Sequence, residues 1–128
     1  MTYNFIDLFA GAGGLSEGFI QAGFEPIAHV EIENSACNTL RTRAAYHYLK
    51  NGNSYNSYIS YLKGEITRNQ LYSIIPKNIL DSIINLPIGT ENNNAVQEQI
   101  DKSLGNKKVA LIIRGPPCQA YSLVGRSS

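Results

Sequence analysis

Two stretches carry residues suited to chemistry, and they lie at opposite ends of the sequence. Near the C-terminal end, Gly115-Pro116-Pro117-Cys118-Gln119-Ala120-Tyr121-Ser122 presents a thiol a few residues after an apolar run. Each proline fixes φ and stiffens the approach, which suits a nucleophile that must be held to a fraction of an ångström. Taken alone, a cysteine in such a loop is more often structural than reactive. Near the N-terminal end, Asp7-Leu8-Phe9-Ala10-Gly11-Ala12-Gly13-Gly14-Leu15 sets Gly11, Gly13 and Gly14 directly after another apolar run. Glycines let backbone approach a ligand, and a helix start offers free N–H groups. The run is not a Walker phosphate loop, because no Gly-Lys-Ser/Thr follows. Ser16 stands where the dinucleotide fingerprint has its third glycine, and a lone glycine-rich turn often only joins a strand to a helix.

Two acids extend the pattern. Glu31 lies twenty residues beyond Gly11, where an acid in doubly wound folds accepts hydrogen bonds from ribose hydroxyls. Ile32 beside it can cover one face of an adenine. The plainer reading of Glu31 is a solvated strand end. Lys63-Gly64-Glu65-Ile66-Thr67 can bring Glu65 to the same sheet edge, to accept from an adenine amino group. Taken alone, Glu65 reads as a surface acid near a helix start. A loop that holds a nucleotide-type cofactor and a thiol in one cleft together point to covalent catalysis on a bound substrate.

The elements that must position these groups follow from periodicity. Residues Tyr3 to Phe9 form a short apolar run ending at glycines, a buried strand. Leu15, Phe19 and Ala22 fall at helical spacing, with Gly23 as the stop. Pro26 to Ile32 reads as a second strand. Asn34 or Ser35 caps a second helix with Ala36, Leu40 and Ala44 on its inner face. Cys37 within it reads as a small packed side chain. Asn51 to Ser57 reads as loop. Tyr46, Tyr48, Tyr55, Tyr58 and Tyr61 gather around it; tyrosines can stack on bases, though tyrosines that cover a loop are commoner. Two short helices are expected at Leu71–Ile75 and Ile79–Leu86, separated by Pro76 and ended by Pro87. A further helix spans Asn93–Leu104 before Gly105. Val109–Ile113 is the clearest strand, and its continuous apolar character predicts burial on both faces. Strand and helix in alternation predict a parallel α/β sheet. Ligands of such sheets bind beyond the carboxyl ends of the strands, so the glycine loop and Cys118 can share one cleft.

Composition limits the alternatives. The 128 residues suffice for one domain, with 43% hydrophobic and 16% charged residues. A net charge of +1 makes no case for a polyanionic partner by itself. Lys107, Lys108, Arg114 and Arg126 can form a local basic patch or a solvated face. Two cysteines without a CxxC pair or His/Cys cluster argue against a metal site. No signal peptide opens the chain and no apolar run is long enough to cross a membrane, so a cytoplasmic protein with reduced thiols is expected.

The glycine loop and Gly115-Pro116-Pro117-Cys118-Gln119 together resemble the first and fourth motifs of the C5-cytosine DNA methyltransferases. Glu31-Ile32 resembles the second motif. Gly64-Glu65-Ile66 resembles the third, with Glu65 where that family usually has Asp. The resemblance covers the whole chain but about the first third of a typical member, and the segment between Glu65 and Cys118 is longer than in compact members. It implies the N-terminal part of a Rossmann-like methyltransferase fold over residues 1–128, with the target-recognition region absent. It implies S-adenosyl-L-methionine as cofactor, held by Phe9, Gly11, Gly13, Gly14, Leu15, Glu31, Ile32, Glu65 and Ile66. Cys118 is the implied nucleophile, attacking C6 of a cytosine flipped out of double-stranded DNA. Gln119, Ser122 and Arg126 are candidate DNA contacts. A role in restriction-modification is consistent with the family.

What the family has and this sequence lacks leads to a further expectation. No Glu-Asn-Val motif, Arg motif or C-terminal pocket helix is present, so the chain alone is expected not to turn over. It would need a missing C-terminal part or a complementary subunit. The sheet is expected to stop at the Val109–Ile113 strand with an exposed edge. Two rival readings remain: a non-catalytic cofactor-binding subunit of a split methyltransferase, and a nicotinamide-dependent oxidoreductase, against which Ser16 counts.

Overall fold

The computed structural model describes residues 3–11, 13–89 and 91–114. The motif around Cys118, with Gln119, Ser122 and Arg126, lies outside the described residues. The elements are β1 (Asn4–Leu8), α1 (Gly14–Gln21), β2 (Glu25–Val30), α2 (Asn34–Asn51), α3 (Tyr55–Leu62), α4 (Arg68–Ser73), α5 (Lys77–Asp81), β3 (Ile83–Ile84), α6 (Asn93–Leu104) and β4 (Leu111–Arg114). The α/β alternation is as expected at both ends, but α3 was not expected and takes in Tyr55–Ser57 of the segment read as loop. The four strands form one parallel sheet in the order β3-β2-β1-β4. The chain winds outward from β1 to β3 and then returns to the other side of β1. The strand order therefore reverses between β1 and β4, which is where open α/β sheets bind ligands.

Strand alternation divides the side chains between two layers. Ile6, Ala28, Val30 and Ile84 face α6, which meets them with Val96 and Ile100. On the other face Phe5 packs on Phe19 of α1 at 5.7 Å between ring centroids, and Ile83 packs on Cys37 and Leu40 of α2. A separate apolar cluster joins Ala45 and Leu49 of α2 to Leu71 and Ile75. Thr67 opens α4 with a capping box: its hydroxyl accepts from the Gln70 N–H at 3.1 Å, and the Gln70 side chain accepts from the Thr67 N–H at 2.8 Å.

Three further expectations are corrected. Ile83–Leu86 is not helical: Ile83 and Ile84 pair with His29 and Val30 as β3. Two β-branched residues beside an open sheet edge gain ladder hydrogen bonds that a short helix end could not give them. The buried face of α2 carries Cys37, Leu40, Ala45 and Leu49 rather than Ala36, Leu40 and Ala44, because the helix must meet both the sheet and α4. β4 is not buried on both faces. Ile113 is 7% exposed but Ile112 is 60% exposed, since α6 packs over β2 and leaves the outer strand uncovered. Among the described residues β4 is an edge strand.

Candidate cofactor site at the carboxyl edge of the sheet

β1 ends in a turn that glycine makes possible. Gly11 has φ +59° and Gly13 φ +91°, a region costly for side-chain-bearing residues. A Cβ on Gly13 would meet Leu40 Cδ2 at 2.8 Å, so that glycine lets α1 and α2 close together. A Cβ on Gly11 would meet nothing within 4 Å among the described residues, so its open side can face a ligand. Phe9 also has positive φ, 56°, the kind of stored strain that gathers at ligand sites. Its ring lies under the Arg114 guanidinium, 4.7 Å away, and this cation–π contact ties the end of β4 to the glycine turn. Gly13 caps α1 without a side-chain hydrogen bond, which leaves helix N–H groups for an acceptor outside the helix.

Glu31 is the organising side chain of this edge. It is buried, and its two carboxylate oxygens accept from backbone N–H groups: Oε1 from Gly11 at 2.9 Å and Oε2 from Glu33 at 2.8 Å. One carboxylate thus fixes the glycine turn and the β2–α2 turn together, and each oxygen keeps a lone pair for a hydroxyl. Ile32 next to it is 58% exposed and Leu15 is 49% exposed, so apolar surface flanks the acid. The Cys37 thiol donates to the Glu31 carbonyl at 3.3 Å. Burial pushes that thiol up in pKa, which marks it as a packed rather than a reactive cysteine.

The structure brings Phe9, Gly11, Gly13, Gly14, Leu15, Glu31 and Ile32 to one edge, but not Glu65 and Ile66. Those two occupy the α3–α4 turn, where Ile66 packs on the cluster of Ala45 and Leu49. Ala45 lies eleven residues along α2 from Asn34, about 16 Å from the carboxyl edge at 1.5 Å per residue. The position that follows β3 belongs instead to Asn85. With its amide nitrogen turned toward the β2–α2 turn, Asn85 donates to the carbonyls of Ile32 at 2.9 Å and Glu31 at 3.1 Å, and its other amide atom meets the Asn34 side chain. Sequence reasoning missed Asn85 because it read Ile79–Leu86 as helix.

Beneath the edge lies a buried polar group that also escaped the sequence reading. Asp7 and His29 are register partners on adjacent strands, and both face the α1–α2 layer. Ser16 of α1 contacts His29 Nε2 at 2.5 Å, which gives that serine a structural task. Asp7 Oδ2 and His29 Nδ1 have no hydrogen-bond partner among the described residues. Burial, with the Glu31 charge nearby, pushes the Asp7 carboxyl up to about 6. Burial, opposed weakly by Glu17, pushes the His29 imidazole down to about 4. A charged residue inside the run Phe5-Ile6-Asp7-Leu8 was the available signal.

The residues present fit a nucleoside-type cofactor: an open glycine turn, an uncapped helix start, a buried acid with free lone pairs, and exposed apolar side chains beside it. The sequence profile described as C-5 cytosine-specific DNA methylase matches residues 3–66. The chain belongs to this family. It is 42% identical to a type II methyltransferase of Bacillus paralicheniformis over 95% of this chain and 32% of the relative. A type II methyltransferase of Haemophilus parahaemolyticus is 29% identical over 98% of the chain and 24% of the relative. A putative type II methyltransferase of Methanocaldococcus jannaschii is 32% identical over 92% and 36%. The chain thus spans between about a quarter and about a third of the length of these relatives. No solved structure matches. Among the described residues no helix is long and apolar enough to cross a membrane, and no His, Cys, Asp and Glu group could hold a metal ion.

Proposed function

We propose that this chain is the cofactor-binding and nucleophile-bearing part of a DNA (cytosine-5-)-methyltransferase, acting on double-stranded DNA from which the target cytosine is flipped. The observation that carries the reading is the switch point. The glycine turn after β1 and the end of β4 are neighbours, joined by Phe9 and Arg114. Cys118 follows Arg114 by four residues in the sequence, and four residues of fully extended chain span at most about 14 Å. In this reading Gly11, Gly13, Gly14 and Leu15 form the floor of the S-adenosylmethionine site. Glu31 accepts from the ribose hydroxyls and Ile32 covers the adenine. Asn85 takes the place by the adenine that Glu65 was expected to fill.

When bound, the cofactor supplies an electrophilic methyl group on a sulfonium centre. The Cys118 thiolate adds to C6 of the cytosine, and the electron pair displaced from the C5–C6 double bond makes C5 nucleophilic. After methylation of C5, a base removes the C5 proton. The electron pair re-forms the double bond and expels the thiolate. Gln119, Ser122 and Arg126 contact the DNA beside the flipped base.

Trapping with duplex DNA containing 5-fluorocytosine tests the reading, because fluorine cannot leave as a proton does. The chain is complemented with the remaining length of the Bacillus paralicheniformis relative and given S-adenosylmethionine. A covalent protein–DNA adduct is expected, and Cys118→Ala should abolish it. An undiminished adduct in that variant refutes the assignment.

A further inference from the structure

The charge of this chain is unevenly placed. Residues 34–80 carry six basic side chains (Arg41, Arg43, Lys50, Lys63, Arg68, Lys77) and one acid, Glu65, a net of +5 against +1 for the whole chain. The remainder is therefore at −4. α2 contains no acid at all. The same segment holds Tyr46, Tyr48, Tyr55, Tyr58, Tyr61 and Tyr72, six of the eight tyrosines.

The fold brings Arg43, Arg68, Tyr46, Tyr58 and Tyr61 of this set to one place. A groove of about 630 Å³ runs along α2, walled by Tyr58 and Tyr61 of α3 and by Arg68 at the start of α4. On the α2 side it is lined from Ser35 past Arg43 to Tyr46. From Ser35 to Tyr46 the helix advances eleven residue steps, about 16 Å, roughly five base steps of one DNA strand. The groove begins at the N-terminal end of α2, which follows Glu31 and Ile32 directly. It therefore opens beside the cofactor edge.

The tyrosine rings lean on one another: Tyr46 meets Tyr58 at 5.1 Å and Tyr55 at 6.0 Å, and Tyr58 meets Tyr61 at 6.1 Å. Rings packed this way form a rigid wall and offer few free faces for stacked bases. Burial and the neighbouring tyrosines push the Tyr58 hydroxyl up in pKa, so it remains a donor. Lys50 lies over the Tyr46 ring at 5.5 Å and donates to its hydroxyl at 3.2 Å. The one acid lining the groove, Glu17, is already engaged by Arg43 at 3.4 Å and His47 at 3.0 Å. Arg68 makes no ion pair among the described residues. Donors and cations without base-sized slots suit a phosphate backbone.

We propose that the groove between α2 and the α3–α4 pair binds the sugar-phosphate backbone of double-stranded DNA outside the target site. This rests on the reading of the chain as part of a DNA methyltransferase, and adds a contact surface separate from the cofactor edge and the thiol. It makes sequence-independent contacts that hold the flanking duplex against the protein.

The test is binding of the full chain to a fluorescent random-sequence 30-base-pair DNA duplex across a salt series. Arg43→Gln and Arg68→Gln, the two arginines that line the groove, should each lower affinity several-fold at low salt. Each should also reduce the slope of log K against log salt by about 0.9, the loss of one phosphate contact. S-adenosylhomocysteine binding, followed by calorimetry, should be the same in both variants and the parent. A double variant with the parental slope overturns the proposal, as does a parent chain that does not bind the duplex. Equal or tighter binding of a duplex RNA of the same length also overturns it. Loss of S-adenosylhomocysteine binding in the parent, with the slope effect intact, would instead count against the cofactor reading and leave the groove standing.

Discussion

The buried pair Asp7 and His29 sets up two opposing pH dependences that single substitutions should separate. His29 titrates near 4 in the folded chain and at 6.5 unfolded. Between those values the unfolded chain holds a proton the folded one lacks, so stability rises with pH by about 1.4 kcal/mol per unit. Its contribution is complete above 6.5 and is lost as pH falls through 4. Asp7 titrates near 6 folded and at 3.8 unfolded. There the folded chain holds the extra proton. Its contribution is complete below 3.8 and is lost as pH rises through 6, with a slope of the same size and opposite sign. Between pH 4 and 6 the two slopes offset each other.

His29→Gln keeps a polar group near Ser16 but removes the titration. Its stability relative to the parent should fall by about 1.4 kcal/mol per unit, some 3 kcal/mol in all, as pH rises from 4 to 6.5, and then level off. Asp7→Asn should show the reverse, a relative gain of up to about 3 kcal/mol between pH 4 and 6, smaller to the extent that solvent screens the group. The double variant should return to the parental pH profile. Urea unfolding at half-unit steps from pH 4 to 7 measures all four proteins. Groups common to them, Glu17 among them, cancel in the differences. Flat differences for both single variants, or slopes of the same sign, refute the reasoning.

Other perturbations probe the edge itself. Gly13→Ala combines φ +91° with a 2.8 Å contact to Leu40 and should cost about 2–3 kcal/mol, whereas Gly11→Ala, with open space around its Cβ, should cost about 1 kcal/mol; thermal unfolding ranks them. Glu31→Gln can accept only one of the two backbone N–H groups now held at 2.9 and 2.8 Å. It should lose about 1–3 kcal/mol of stability, and calorimetry should show weaker S-adenosylhomocysteine binding. Glu65→Ala should leave that binding unchanged while Asn85→Ala weakens it; the reverse result would return the adenine contact to Glu65.

Much of this was legible in the residues because it is local. An apolar run ending in Gly11 and Gly13 can hardly be anything but a strand, a tight turn and a helix start, and the acid twenty residues on marks the end of the next strand. Family membership follows from the same segment, which the matching profile covers. The rest depended on contacts distant in sequence. Ile83 and Ile84 became a strand only because β2 offered an unpaired edge, and that pairing moved the third position of the ligand edge from Glu65 to Asn85. Asp7, His29 and Ser16 look unrelated along the chain; the register of β1 with β2 and the packing of α1 above them make them one buried group. The basic, tyrosine-rich segment could be counted from the sequence, but only the fold of α3 and α4 back onto α2 turned a composition into a groove. Local backbone preference fixes where glycine turns and helices fall. Which side chains share a surface is decided by long-range pairing and burial, and that information is spread over the whole chain.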